Sequence, residues 1–93
     1  SVAQVAIDLG GRAYLNWDVR FLKDTIGGIS SEMFSHFFYS LAIASKSTIY
    51  ISAKGENDHH IAESIFKAFA RSLKMAVRRE ENSYGLPTTK GIL

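Results

Sequence analysis

The run Asp58-His59-His60-Ile61-Ala62-Glu63 gathers two imidazoles and a carboxylate within a short stretch of chain. On a helix, His59 and Glu63 stand four residues apart and His60 and Glu63 three apart, so each histidine can share a face with the carboxylate. Nitrogen and oxygen donors at this spacing suit a divalent metal ion. Adjacent helical side chains point about 100° apart, so two ions, one for each histidine, fit better than one. The plain alternative is an exposed polar first turn that binds nothing.

Three other groups have the residue types for chemistry. His36 precedes Phe37-Phe38 and follows Glu32 by one turn, where the carboxylate could hold the second ring nitrogen of a metal-bound imidazole. Thr88-Thr89-Lys90-Gly91 offers two hydroxyls, an ammonium and a glycine that admits close backbone approach, a set suited to phosphate. Arg12, just after Gly10-Gly11, could form a forked pair with the same anion. Lys67, Arg71, Lys74 and Arg78 recur at helical spacing, but no aromatic residues interleave with them, so they read as a solvated face rather than a nucleic-acid surface.

These residues need elements to position them. Val5, Ile7 and Leu9 alternate with polar or small neighbours, as do Leu15, Trp17, Val19 and Phe21, which predicts two half-buried strands. Gly10-Gly11 between them suggests a tight turn at positive φ and hence an antiparallel hairpin. Asp24 to Gly28 reads as a loop. Ser30 or Ser31 can cap a helix with an apolar stripe of Phe34, Phe37, Phe38, Leu41 and Ala44. Thr48 to Lys54 is a third strand, with Ile49, Ile51 and Ala53 on one face, and Gly55 ends it. Asn57 or Asp58 can cap a second helix running to about Arg79, its stripe formed by Ile61, Ile65, Ala68, Phe69, Leu73, Ala76 and Val77. Asn82 to Pro87 reads as a loop. The order β-β-α-β-α, with one apolar face per strand, predicts an α+β two-layer sandwich: a sheet covered on one side by two helices.

The 93-residue chain is the size of one small domain, and its 46% hydrophobic content supports a packed core. It has no cysteine, so disulfides and thiolate metal sites are excluded. No apolar run is long enough to span a bilayer, and residues 1–9 do not read as a signal peptide, so the expected compartment is the cytoplasm. A net charge of +2 suits a small anion and is too weak to argue for nucleic acid.

Asp8-Leu-Gly-Gly-Arg12, Glu32 through His36-Phe37-Phe38, Gly55-Glu-Asn-Asp-His59-His60, Glu63-Ser-Ile-Phe-Lys-Ala-Phe-Ala-Arg71 and Pro87-Thr-Thr-Lys90-Gly91 occur in that order. Together they resemble imidazoleglycerol-phosphate dehydratase across nearly the whole chain. The resemblance implies a ribosomal protein S5 domain 2-like fold with a mixed sheet. It implies manganese ligation by His36, His59, His60 and Glu63, with two Mn ions per complete active site, and a substrate phosphate held by Arg12, Thr88, Thr89 and Lys90. Family members have Ser-Gly-Arg where this chain has Gly10-Gly11-Arg12, which keeps the chemistry. Many carry histidine where this chain has Tyr50.

By the same resemblance, the reaction removes water from imidazole glycerol phosphate to give imidazole acetol phosphate in histidine biosynthesis, making the enzyme a lyase. The family is an internal duplication, each half carrying its own His-His-x-x-Glu motif, and only one copy is present here. The chain therefore reads as the C-terminal half-domain, residues 1–93. Its site would be finished by an N-terminal half and by neighbours in a homo-oligomeric shell of about two dozen subunits, and the half alone is expected to be inactive. The alternatives are a non-catalytic folding or assembly unit, which predicts no tight metal binding, and a nucleic-acid binder, which predicts steeply salt-dependent affinity.

Overall fold

The computed structural model describes residues 1–84. Its core is a three-stranded mixed sheet of β1 (Val2–Asp8), β2 (Tyr14–Val19) and β5 (Thr48–Lys54). A small hairpin, β3 (Thr25–Ile26) and β4 (Ile29–Ser30), precedes helix α1 (Glu32–Ser45), and helix α2 (Asp58–Tyr84) follows β5. The predicted α+β class holds, with the alternating apolar residues of all three strands turned toward the helices.

The strand pairing differs from the sequence expectation. β1 and β2 are not neighbours: β5 lies between them, antiparallel to β1 and parallel to β2. Ile49, Ile51 and Ala53 are buried whereas Tyr50 is exposed, which is what a strand paired on both edges and covered on one face should show. The last strand to be made is not the most apolar of the three but the most deeply buried, because the centre of the sheet is where inward side chains leave water most completely. Gly10-Gly11 therefore belongs to a connection that crosses the end of β5, not to a hairpin, and neither glycine has positive φ.

The glycine hairpin lies further along the chain. Gly27 (φ 58°) and Gly28 (φ 82°) join β3 to β4 where the sequence reading had placed only a loop. Two consecutive positive φ angles are what a two-residue turn between right-twisted strands requires. The base of the hairpin is closed by the Ser31 amide, which donates to the Asp24 carbonyl at 2.8 Å.

Phe38, fully buried, is the centre of the core. It stacks on Trp17 (centroids 5.9 Å apart) and meets Phe69 at 5.1 Å and Phe66 at 5.3 Å, joining sheet and both helices. The buried stripe of α1 is narrower than its spacing suggests: Phe38 and Ala42 are buried, whereas Phe37 remains 50% exposed. On α2, Ile61, Ile65 and Ala76 are buried, but Leu73 and Val77 are not. α2 also continues past Arg79 to Tyr84, since no glycine or proline interrupts residues 80–84. Two side chains fasten it to β1: Ser72 Oγ donates to the Val5 carbonyl at 2.7 Å, and Arg79 Nη2 to the Ile7 carbonyl at 3.2 Å. No helix among the described residues is long and apolar enough to cross a membrane.

Candidate functional site

The start of α2 is built by two neighbouring side chains with different tasks. Asn57 caps the helix: its Oδ1 accepts the His60 amide at 3.0 Å, relieving one of the unpaired donors of the first turn. Asp58, the next residue, turns outward. Its carboxylate accepts the Leu22 amide at 2.9 and 3.1 Å and the Lys23 amide at 2.9 Å. An aspartate in the first helical turn is also favoured by the helix dipole. Asp58 thus fastens the segment between β2 and β3 to the turn that carries His59 and His60.

His59, His60 and Glu63 are all exposed. The two imidazole centroids are 6.2 Å apart with planes inclined at 67°. His59 and Glu63 help line a groove of about 580 Å³ together with Phe34, Ala62 and Phe66 of the helices and Ile26, Gly27 and Ile29 of the hairpin. Asp58 therefore sets how far the hairpin wall stands from the histidine turn. Replacing Asp58 with alanine leaves two backbone amides without their acceptor; the expected loss of stability is roughly 1–2 kcal/mol, read as a lower denaturation midpoint, with a smaller loss for Asp58→Asn, which keeps one acceptor oxygen.

The other candidate residues are not gathered here. His36 is exposed on α1, in a shallow depression with Glu32, Met33, Ser35 and Tyr39 that is separate from the groove. Among the described residues no hydrogen bond joins it to Glu32, whose carbonyl instead accepts the Ser35 hydroxyl. Arg12 is farther away. Its carbonyl accepts the Thr48 hydroxyl at the start of β5, while α2 begins beyond the opposite end, where Gly55 approaches Ile61. At about 3.3 Å per residue, β5 alone puts about 20 Å between those ends. Thr88, Thr89 and Lys90 lie outside the described residues. Lys67, Arg71, Lys74 and Arg78 are exposed along α2.

Among the described residues no three histidine, aspartate or glutamate side chains stand close enough together to hold one ion. The described candidate residues lie on separate surfaces of the chain. The donor set still fits a hard or borderline divalent cation: exposed imidazoles beside a carboxylate, with no thiolate in the sequence. Sequence reasoning passed over Asp58 as one of two possible caps and did not single out Thr48. The adjacency of Asn57 and Asp58 was the available signal, since one helix start needs only one cap.

The known proteins similar to this chain agree in both fold and sequence. The crystal structure of imidazoleglycerol-phosphate dehydratase from Staphylococcus aureus matches it with a TM-score of 0.75 at 37% identity, over 80% of this chain and 44% of that one. A two-layer α+β unit of dehydratase type is thus the class that the fold defines. The family model for imidazoleglycerol-phosphate dehydratase matches residues 1–73, and the chain belongs to that family. It is 46% identical over 93 residues to the imidazoleglycerol-phosphate dehydratase of Methanosphaerula palustris, covering all of this chain and 48% of that protein. It is 48% identical over 92 residues to the histidine biosynthesis bifunctional protein HisB of Bacteroides fragilis, covering 99% of this chain and 25% of that protein. The chain thus spans about half the length of the one relative and a quarter of the other.

Proposed function

We propose that this chain is the C-terminal half of a cytoplasmic, Mn-dependent dehydratase that converts imidazole glycerol phosphate to imidazole acetol phosphate. The observation that carries the reading is the exposed His59, His60 and Glu63 at the start of α2, in a chain whose family match includes them. His59, His60 and Glu63 hold manganese from one surface and His36 from another. Bound there, the ions supply Lewis-acid stabilisation of negative charge developing on the substrate's imidazole.

The remaining work falls to the chain's own side chains. Arg12 with Thr88, Thr89 and Lys90 fixes the phosphate, so that the imidazole end arrives in one orientation. Arg12 and the histidine turn lie at opposite ends of β5, so one chain's phosphate anchor and its metal ligands serve different sites. That arrangement calls for a homo-oligomer whose sites lie between subunits. An N-terminal half supplies the remaining ligands and the acidic group that moves the proton. It also covers the aromatic ridge left open between the helices, where Phe37 and Phe66 are 50% and 42% exposed with centroids 6.0 Å apart.

Reconstitution tests the reading. The chain combined with its complementary half and Mn should form a large assembly, retain about two Mn per site by the resemblance to the dehydratases, and turn over substrate, whereas the chain alone should not. An assembly that retains no Mn and forms no product refutes it.

A further inference from the structure

We infer that Thr48 is a positioning residue for Arg12: its hydroxyl, reaching across a glycine that leaves room for it, fixes the backbone from which the arginine grips the substrate phosphate. The inference rests on the reading of Arg12 given above and adds a residue outside the motifs that suggested it. Its basis is the way β1 connects to β2. Because β5 lies between them, residues 9–13 must bridge two strand spacings, about 10 Å, over the end of β5. Asp8, the last residue of β1, and Tyr14, the first of β2, are both register partners of Thr48. Thr48 therefore sits directly under the crossing.

Three contacts hold the crossing in place. Thr48 Oγ1 donates to the Arg12 carbonyl at 2.6 Å. Asp8 Oδ1 accepts the Gly10 amide at 3.1 Å, and the Asp8 carbonyl accepts the Gly11 amide at 3.3 Å. Gly11 is the residue that permits this. A Cβ there would lie 2.6 Å from Thr48 Oγ1, closer than real Cβ atoms come to such a neighbour, and 3.0 Å from Asp8 Oδ2, a tight contact. The glycine at this position provides close approach, not positive φ, and what approaches is the threonine hydroxyl. Arg12 has a long, flexible side chain, and fixing the first of its atoms narrows the volume its guanidinium searches before it meets phosphate.

The test uses the complete two-half enzyme loaded with Mn. Thr48→Val removes the hydroxyl and keeps the shape. It should raise KM for imidazole glycerol phosphate about three- to tenfold, the worth of one hydrogen bond, leave kcat within about twofold, and weaken competitive inhibition by inorganic phosphate to the same degree. Thr48→Ser, which keeps the hydroxyl, should restore both. Gly11→Ala, which pushes on Thr48 from the other side, should raise KM in the same selective way and serves where the valine variant does not assemble. Arg12→Ala gives the reference for loss of the anchor itself. If Arg12→Ala raises KM while Thr48→Val and Gly11→Ala do not, the positioning role is wrong and the reading of Arg12 stands. If Arg12→Ala leaves KM and phosphate inhibition unchanged, both are wrong.

Discussion

Changing His59 to alanine in the complete enzyme should lower dehydration by more than about a hundredfold, since even the outer partners of metal ligands cost about 10- to 100-fold when removed. Glu63→Ala should do the same, because it removes the carboxylate that shares the His59 face. Both side chains are exposed at the start of α2 and neither is among the buried core residues. Without bound Mn, whose binding adds its own stabilisation, unfolding stability should therefore change by no more than about 0.5 kcal/mol. Product formation, Mn retained after desalting, and thermal unfolding without Mn, measured on the same preparations, separate a ligand from a structural residue. Full activity in either variant would sink the metal assignment.

Phe38→Ala should produce the opposite pattern. Phe38 is fully buried and touches Trp17 from the sheet, Phe66 and Phe69 from α2, and Phe37 at 5.0 Å from its own helix. Its removal leaves a cavity where sheet and helices meet. The expected cost is about 3–5 kcal/mol, a large share of the roughly 5–15 kcal/mol that holds a domain folded. The variant should melt far below the parent or fail to accumulate in soluble form, while Phe38→Leu should lose less. A melting midpoint unchanged from the parent would show that the aromatic cluster is not the core of the unit.

Alternation along Val5 to Leu9, Leu15 to Phe21 and Thr48 to Lys54 made the strands readable, because a period of two reports one buried face. It could not report which strand sits beside which. That depends on where the chain returns, and Gly10-Gly11 looked like a hairpin turn because glycine's freedom of φ and its lack of a side chain are indistinguishable in sequence. Gly27-Gly28, flanked by Ile26 and Ile29, carried the true hairpin signal in strands too short to show alternation.

The candidate site was legible in the same uneven way. Helical spacing put His59, His60 and Glu63 on the first turns of α2, and that is where they are. Spacing gives faces and not distances between elements, so the separation of Arg12 from these residues, and the opening of His36 onto another surface, had to come from the fold. The Asp58 tether joins residues 35 and 36 positions apart, beyond the reach of any local pattern.

The central place of β5 also fixes the order in which the unit can be made. A ribosome releases β1 and β2 first, and neither has a strand to bond with until Thr48 to Lys54 appears. Asp8 waits for Thr48 and Val2 for Lys54, pairings of long sequence separation that slow folding and make it depend on closing large loops. The three-stranded sheet therefore cannot close before β5 has been made. The nascent strands stay open to wrong partners until then. The crossing at Gly10-Gly11 is synthesised before there is anything for it to cross, and Arg12 acquires its place only when the threonine beneath it arrives.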